Sequence, residues 1–212
     1  MVTSDSSMVL FAAKGGGSAI IEAQLDIIGV AYERRYLAWD ELHGADGELA
    51  RINPMREVPT LVLPDGSILT ESAAITIWLG AKYPESGLVP STATTEYVPF
   101  LRTLIWLVAS VYPTFSYGDH PERWLGDMPE AKALRTATDE KRKAMWQQLE
   151  ARLDPAPWAM GERLTAIDLY LTIMSHWRPR RDWFRDNCPK IYAIAKRLDD
   201  MPALAPMWAR NL

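Results

Sequence analysis

Residues 53–84 limit the chain most tightly, because a strand, a tight turn, a second strand and a helix follow one another there without a break. Pro59 cannot donate to a strand ladder, so the apolar run Leu61, Val62, Leu63 begins at an edge or a turn. The Val58–Pro59 bond is of the one kind in which cis geometry costs little, about 0.5–1 kcal/mol. A cis bond there turns the Val58 N–H and C=O outward, where an extended peptide can pair with them. Pro64, Asp65, Gly66 and Ser67 carry turn chemistry and close a hairpin with the strand at residues 68–70. The apolar positions Ala74, Ile75, Trp78 and Leu79 then shift to helical spacing, which puts Glu71 and Ser72 at a helix N-terminus. Free N–H groups and the helix dipole attract a carboxylate there, and the Glu71 side chain can take an ammonium. An α-amino acid head group carries both charges.

Upstream, residues 8–12 suit a buried strand, and residues 15–17 are glycines followed by Ser18. A helix with Ile21, Leu25 and Ile28 on one face comes next, and Gly29 ends it. Residues 30–37 have strand propensity, and the polar stretch 40–52 reads as an irregular helix before Asn53 and Pro54. The order β-α-β-α-β-β-α resembles a thioredoxin fold, with a parallel first unit and a terminal hairpin. Strand signals stop after the Pro/Gly/Ser linker at residues 85–90. A helix over 98–111 is apolar on nearly every side, and Met145, Trp146, Leu149 and Leu153 mark a second. Thr165 and Asp168 form a capping box, with Leu164 and Leu169 as its staple, and Pro189 and Pro202 open further helices. The expected organisation is a flexible tail at 1–7, an α/β thioredoxin-like domain at 8–84, a linker at 85–90 and an all-α domain at 91–212.

A net charge of −4 argues against a nucleic-acid platform, and the basic run Arg178, Arg180, Arg181 is interleaved with Asp182 and Asp186. No long uninterrupted apolar span predicts a membrane helix, and the first seven residues are polar rather than a leader, so a cytoplasmic location is expected. A single cysteine, Cys188, excludes an internal disulfide. His43, His120 and His176 lie far apart without a ligand motif, so no metal is expected. The glycine run is no dinucleotide cradle, because Ile20 stands where the third glycine of that motif belongs.

Val58-Pro59 before a strand and Glu71-Ser72 before the next helix resemble the glutathione site of the glutathione transferase family. The capping box at Thr165 is similar to one in that family's helical second domain, and the segment from Tyr112-Pro113 to Trp124 looks like its bacterial members. The resemblance spans residues 8–212 and implies a homodimer that conjugates glutathione to small hydrophobic electrophiles in detoxification. It implies that Glu57 and Val58, beside Pro59, pair with the peptide, and that Glu71 and Ser72 hold the γ-glutamyl end. His43, with Trp39 beside it, borders the glycine end. The resemblance further implies that Phe11, Trp106, Tyr112 and Tyr117 belong to the electrophile pocket, with Phe115 nearby. Against the bacterial beta class the chain departs at Gly17, where that class has a cysteine. That leaves the Ser18 hydroxyl, or the Gly16 and Gly17 N–H groups, to hold the thiolate; as an N-cap, Ser18 would keep its proton free to donate. A non-catalytic glutathione-binding protein, or a dehalogenase, isomerase or ether-cleaving enzyme, would use the same pocket.

Overall fold

β1 (Met8–Ala12) is apolar at every position and is the inner strand on which the sheet is built. It runs parallel to β2 (Tyr32–Tyr36), with Leu10 opposite Arg34, and antiparallel to β3 (Thr60–Val62), with Leu10 opposite Leu61. β4 (Ile68–Leu69) pairs antiparallel with β3, giving the order β2-β1-β3-β4. The polar sequence of β2 and the shortness of β4 fit their places at the two edges. A computed structural model describes residues 7–44 and 46–212, so the expected tail at 1–7 lies outside the described residues except for Ser7.

Successive β1 side chains leave on opposite faces of the sheet. Leu10 and Ala12 join Ile21, Leu25, Leu61, Ile75 and Leu79 in one core, under α1 (Ser18–Ile28) and α3 (Ser72–Lys82). Phe11 and Ala13 join Leu42 and Leu49 in a second core on the other face, where a 3₁₀ turn (Glu41–His43) and α2 (Glu48–Ile52) lie. Gly29 ends α1 at φ 78°, donating its N–H to the Leu25 carbonyl over 3.0 Å. The β3–β4 turn places Gly66 at φ 85°, with its N–H on the Leu63 carbonyl at 2.9 Å. This is the thioredoxin-like arrangement expected from the order of elements.

The helical part comprises α4 (Tyr97–Trp106), α5 (Tyr112–Asp119), α6 (Glu122–Leu125), α7 (Glu130–Arg152), α8 (Ala166–Met174), α9 (Arg181–Asn187) and α10 (Pro189–Asp199). A π-helical stretch, Leu107–Val111, joins α4 to α5. The buried Arg142 of α7 reaches α5, donating to the Thr114 hydroxyl at 2.9 Å and the Thr114 carbonyl at 2.6 Å, with its guanidinium 3.8 Å from the centre of the Phe115 ring. α8 starts where Asp168, fully buried, accepts from the Thr165 N–H at 2.8 Å and the Ala159 N–H at 2.7 Å. Burial pushes the Asp168 carboxyl above its ordinary range against those bonds.

Two compact units emerge, one running to Val89 and taking in Asp199–Leu212, the other spanning Pro90–Leu198. The terminal segment thus departs from the expected helical domain. Its helix α11 (Ala205–Asn211) packs on α1, where Arg210 pairs with Glu22 at 2.5 Å and with Asp26 at 3.1 Å.

Candidate functional site

Three features meet at one end of the sheet. β1 ends there at Ala12 and leads into residues 13–17 and α1. β3 pairs antiparallel with β1, Thr60 opposite Phe11, so its entrance through Val58 and Pro59 lies at that same end. β4 reverses again, with Leu69 opposite Leu61, and delivers Glu71 and the α3 N-terminus to it.

The glycine loop is held by short-range bonds. Gly15 takes φ 71°, and the Gly16 N–H donates to the Ala13 carbonyl at 3.1 Å. Ser18 is fully buried; its hydroxyl donates to the Ala13 carbonyl at 3.2 Å and accepts from the Ala13 N–H at 3.1 Å. The expected free proton of Ser18 is therefore engaged, and the N-cap position belongs to Gly17, with no side-chain cap. The Gly17 and Ser18 N–H groups have no acceptor among the described residues, as befits the first donors of a helix. Trp39 covers the loop: its indole N–H donates to the Lys14 carbonyl at 3.1 Å, and a Cβ on Gly16 would lie 3.0 Å from its ring. Asn211 reaches the loop from the chain terminus, accepting from the Gly15 N–H at 3.3 Å.

At the second feature the Val58–Pro59 peptide is cis, and neither the N–H nor the C=O of half-buried Val58 has a partner among the described residues. Glu57 differs. Its carbonyl already accepts from Asn53 Nδ2 at 3.2 Å and from the Thr60 hydroxyl at 2.7 Å, so both lone pairs are engaged inside the protein. That carbonyl is thus not open to a peptide.

At the third feature exposed Glu71 sits at φ 64°, ψ 109°, a region that a residue with a side chain enters only at a cost of about 1–3 kcal/mol. Its carbonyl accepts from the Ile75 N–H at 3.0 Å, while its carboxylate makes no capping bond. The Ser72 and Ala73 N–H groups have no acceptor among the described residues. Two helix N-termini with open donors and one uncommitted carboxylate can hold an anionic group, a carboxylate and an ammonium.

Phe11 is not in a pocket wall: it is 1% exposed, packed with Ala13, Leu42 and Leu49 in the core. The side chain of His43 lies outside the described residues. In the helical unit, half-buried Tyr112 meets Trp177 edge-on at 5.3 Å and Phe115 at 6.3 Å. Tyr117 is exposed and leans on Trp124 at 4.6 Å, so the two tyrosines belong to separate aromatic pairs, and Trp106 is half-buried. Sequence reasoning missed Trp177, Trp124 and Asn211. Only Trp124 carried a local signal, being seven positions beyond Tyr117. Cys188 is buried, and desolvation together with the nearby Glu150 charge pushes its thiol up to about 12, so it is an inert core residue.

Residues 21–82 match the family model of the glutathione S-transferase N-terminal domain. Over 203 residues the chain is 38% identical to an uncharacterized GST-like protein, YncG, of Escherichia coli K12, covering 95% of this chain and 97% of the relative. It is 26% identical over 204 residues to a probable maleylacetoacetate isomerase of Vibrio cholerae, covering 90% of each. Among solved structures, a glutathione transferase from Methylococcus capsulatus superposes with a TM-score of 0.76 at 27% identity, over 96% of this chain and 98% of that one. A glutathione transferase homolog from Sulfitobacter, with bound glutathione, superposes with a TM-score of 0.84 at 20% identity, over 97% of this chain and 99% of that one, a likeness of fold alone.

Proposed function

The chain belongs to the glutathione S-transferase superfamily, and on that premise we propose that it binds glutathione at this end of the sheet and conjugates its thiolate to small hydrophobic electrophiles. The observation that carries the reading is Glu71, held at positive φ with its carboxylate uncommitted above open helix donors. A γ-glutamyl head group uses that arrangement: its carboxylate on the Ser72 and Ala73 N–H groups, its ammonium on Glu71. The unpaired Val58 backbone takes the cysteinyl peptide unit in the manner of an added strand.

The thiol then falls to the glycine loop. A hydrogen bond to a charged group contributes about 1.5–3 kcal/mol, or roughly one to two pKa units from a free-thiol value of about 8.5. The Gly17 and Ser18 N–H groups, at the positive end of α1, supply such bonds, while the Ser18 hydroxyl is engaged by Ala13. The sulfur so held attacks an electrophilic carbon, and the leaving group departs with the bonding pair. We place the enzyme near the bacterial beta class, with Gly17 in the cysteine position, so that glutathione forms no mixed disulfide there. Tyr112 with Trp177, and Tyr117 with Trp124, form aromatic pairs within the helical unit.

The engaged Ser18 hydroxyl also favours a second reading, a binding protein without turnover. Millimolar reduced glutathione is expected to raise the melting temperature by mass action, with saturable heat in calorimetry. No shift and no heat would remove both readings. Binding without conjugation of chlorodinitrobenzene, or of a wider electrophile panel, would leave the binding protein.

A further inference from the structure

We infer that Asn211, at the chain terminus, is a positioning residue for the thiolate loop, locking the Gly15 turn to an ionic cluster centred on buried Glu22. The inference rests on the glutathione reading above. Three consecutive glycines leave residues 15–17 with wide conformational freedom, yet the placement of the Gly17 and Ser18 N–H groups depends on a single loop geometry. Asn211 supplies an outside tether. Its Oδ1 accepts from the Gly15 N–H at 3.3 Å, where Gly15 stands at φ 71°. Its Nδ2 faces Glu22 Oε2 at 3.0 Å, the Tyr36 hydroxyl at 3.3 Å and the Met207 carbonyl of its own helix at 3.1 Å. The carboxamide thus bridges the loop, α1, β2 and α11.

What makes the tether rigid is the group it is tied to. Glu22 is fully buried on α1 and accepts from Arg34 Nε at 3.2 Å, Arg210 Nε at 2.6 Å and the Tyr36 hydroxyl. Asp26, one turn on, accepts from the Tyr32 hydroxyl at 2.8 Å, from Arg210 at 3.1 Å and from Arg34. Two carboxylates meet two half-buried guanidiniums, so the cluster is neutral and the buried Glu22 charge has opposite partners. Burial and the neighbouring carboxylates push the Tyr36 hydroxyl up to about 12 and the Tyr32 hydroxyl upward too, keeping both as neutral donors. α11 has little other reason to carry an asparagine in its last turn, because a polar side chain that is 5% exposed is retained only where its bonds are satisfied. Small displacements of a positioned group near a reacting atom cost rate far more than affinity.

The test compares full-length Asn211→Leu with wild type and with Arg210→Met, which loosens the cluster without removing a group that touches the loop. Asn211→Leu is expected to raise the pKa of bound glutathione by about one unit and to lower kcat about tenfold, with glutathione affinity within about threefold. Amide exchange at residues 15–18 should accelerate by about tenfold or more, a reading independent of activity. Arg210→Met should lower the denaturation midpoint and disturb thiol pKa, kcat and loop exchange less than Asn211→Leu does, because the carboxamide bond to the Gly15 N–H remains. Asn211→Ala removes the same atoms if leucine does not fit. Unchanged loop exchange in the Asn211 variants overturns the tether, whatever the activity. Equal effects from Arg210→Met assign the change to loosening of α11 and overturn the role of the carboxamide. A wild type whose loop is protected but whose bound thiol has an ordinary pKa overturns the glutathione-thiolate reading, and the positioning of a thiolate with it.

Discussion

Ser18 commits both hydrogen-bonding capacities of its hydroxyl to one residue, Ala13, across the turn that joins β1 to α1. Removing it leaves a buried N–H without an acceptor, which costs about 1–3 kcal/mol, while the Gly17 and Ser18 N–H groups stay in the backbone. Ser18→Ala is therefore expected to lower unfolding free energy in urea by about that amount. The pKa of bound glutathione, read by thiolate absorbance, should move by less than about half a unit, under ~0.7 kcal/mol. A rise of a full unit with stability intact would return the hydroxyl to the thiolate. Glu71 behaves oppositely. Its carboxylate makes no capping bond and is exposed, so Glu71→Ala should change stability by less than about 0.5 kcal/mol. Affinity for glutathione should fall about tenfold or more, since a hydrogen bond to a charged group is worth roughly 1.5–3 kcal/mol. Calorimetry decides: equal affinities in the two proteins would make the positive φ at Glu71 a feature of α3 and nothing more.

Close helix packing in the second unit turns on Gly118. A Cβ there would collide with the Thr138 hydroxyl and lie 3.3 Å from Arg142 Nη2, so α5 and α7 would have to part. Parting them strains the bonds that buried Arg142 makes to Thr114, and an under-satisfied buried guanidinium outweighs the roughly 1 kcal/mol that alanine gains over glycine in a helix. Gly118→Ala should cost about 2–4 kcal/mol on unfolding in urea; a neutral or stabilising result would show that the two helices can separate freely. Elements whose signals are local are legible in the sequence. Gly29 at the end of α1, the Gly66 turn, and Thr165 with Asp168 at the head of α8 each depend on residues within a few positions. Phe11 is not legible in this way, because every position of β1 is apolar and no alternation tells which face meets a core and which a pocket. Distance in sequence hides the rest: Asn211 and Gly15 are 196 positions apart, and no spacing rule links Tyr112 to Trp177. The Glu71 and Val58 features fall between these cases, since their residue types are local but their shared place at one sheet end comes from strand register.

At the scale of the molecule, the run Tyr97–Asp119 poses a problem of exposure. It is long and apolar enough to cross a membrane by length and composition, yet it belongs to a helical unit in which only one of its faces is covered. Phe100, Leu104, Leu107 and Val111 are buried, whereas Val98 is 70% and Ile105 44% exposed, with Ala109 exposed and Leu101 and Val108 half-buried between them. Positions 98, 101, 105 and 108 follow a three-four spacing, so they form one stripe along the helix. An apolar stripe of this kind is unusual on an isolated chain, and a second copy related by a two-fold axis would cover it with the same stripe. We therefore expect a homodimer, sedimenting at twice the 23.9 kDa of the chain. Ile105→Glu places like charges opposite each other at such an axis and should yield monomers that keep the helical circular-dichroism signal. A wild type that sediments as a monomer at micromolar concentration removes the homodimer. A wild type that floats with neutral lipid vesicles, while Ile105→Glu does not, would assign the stripe to a lipid surface instead.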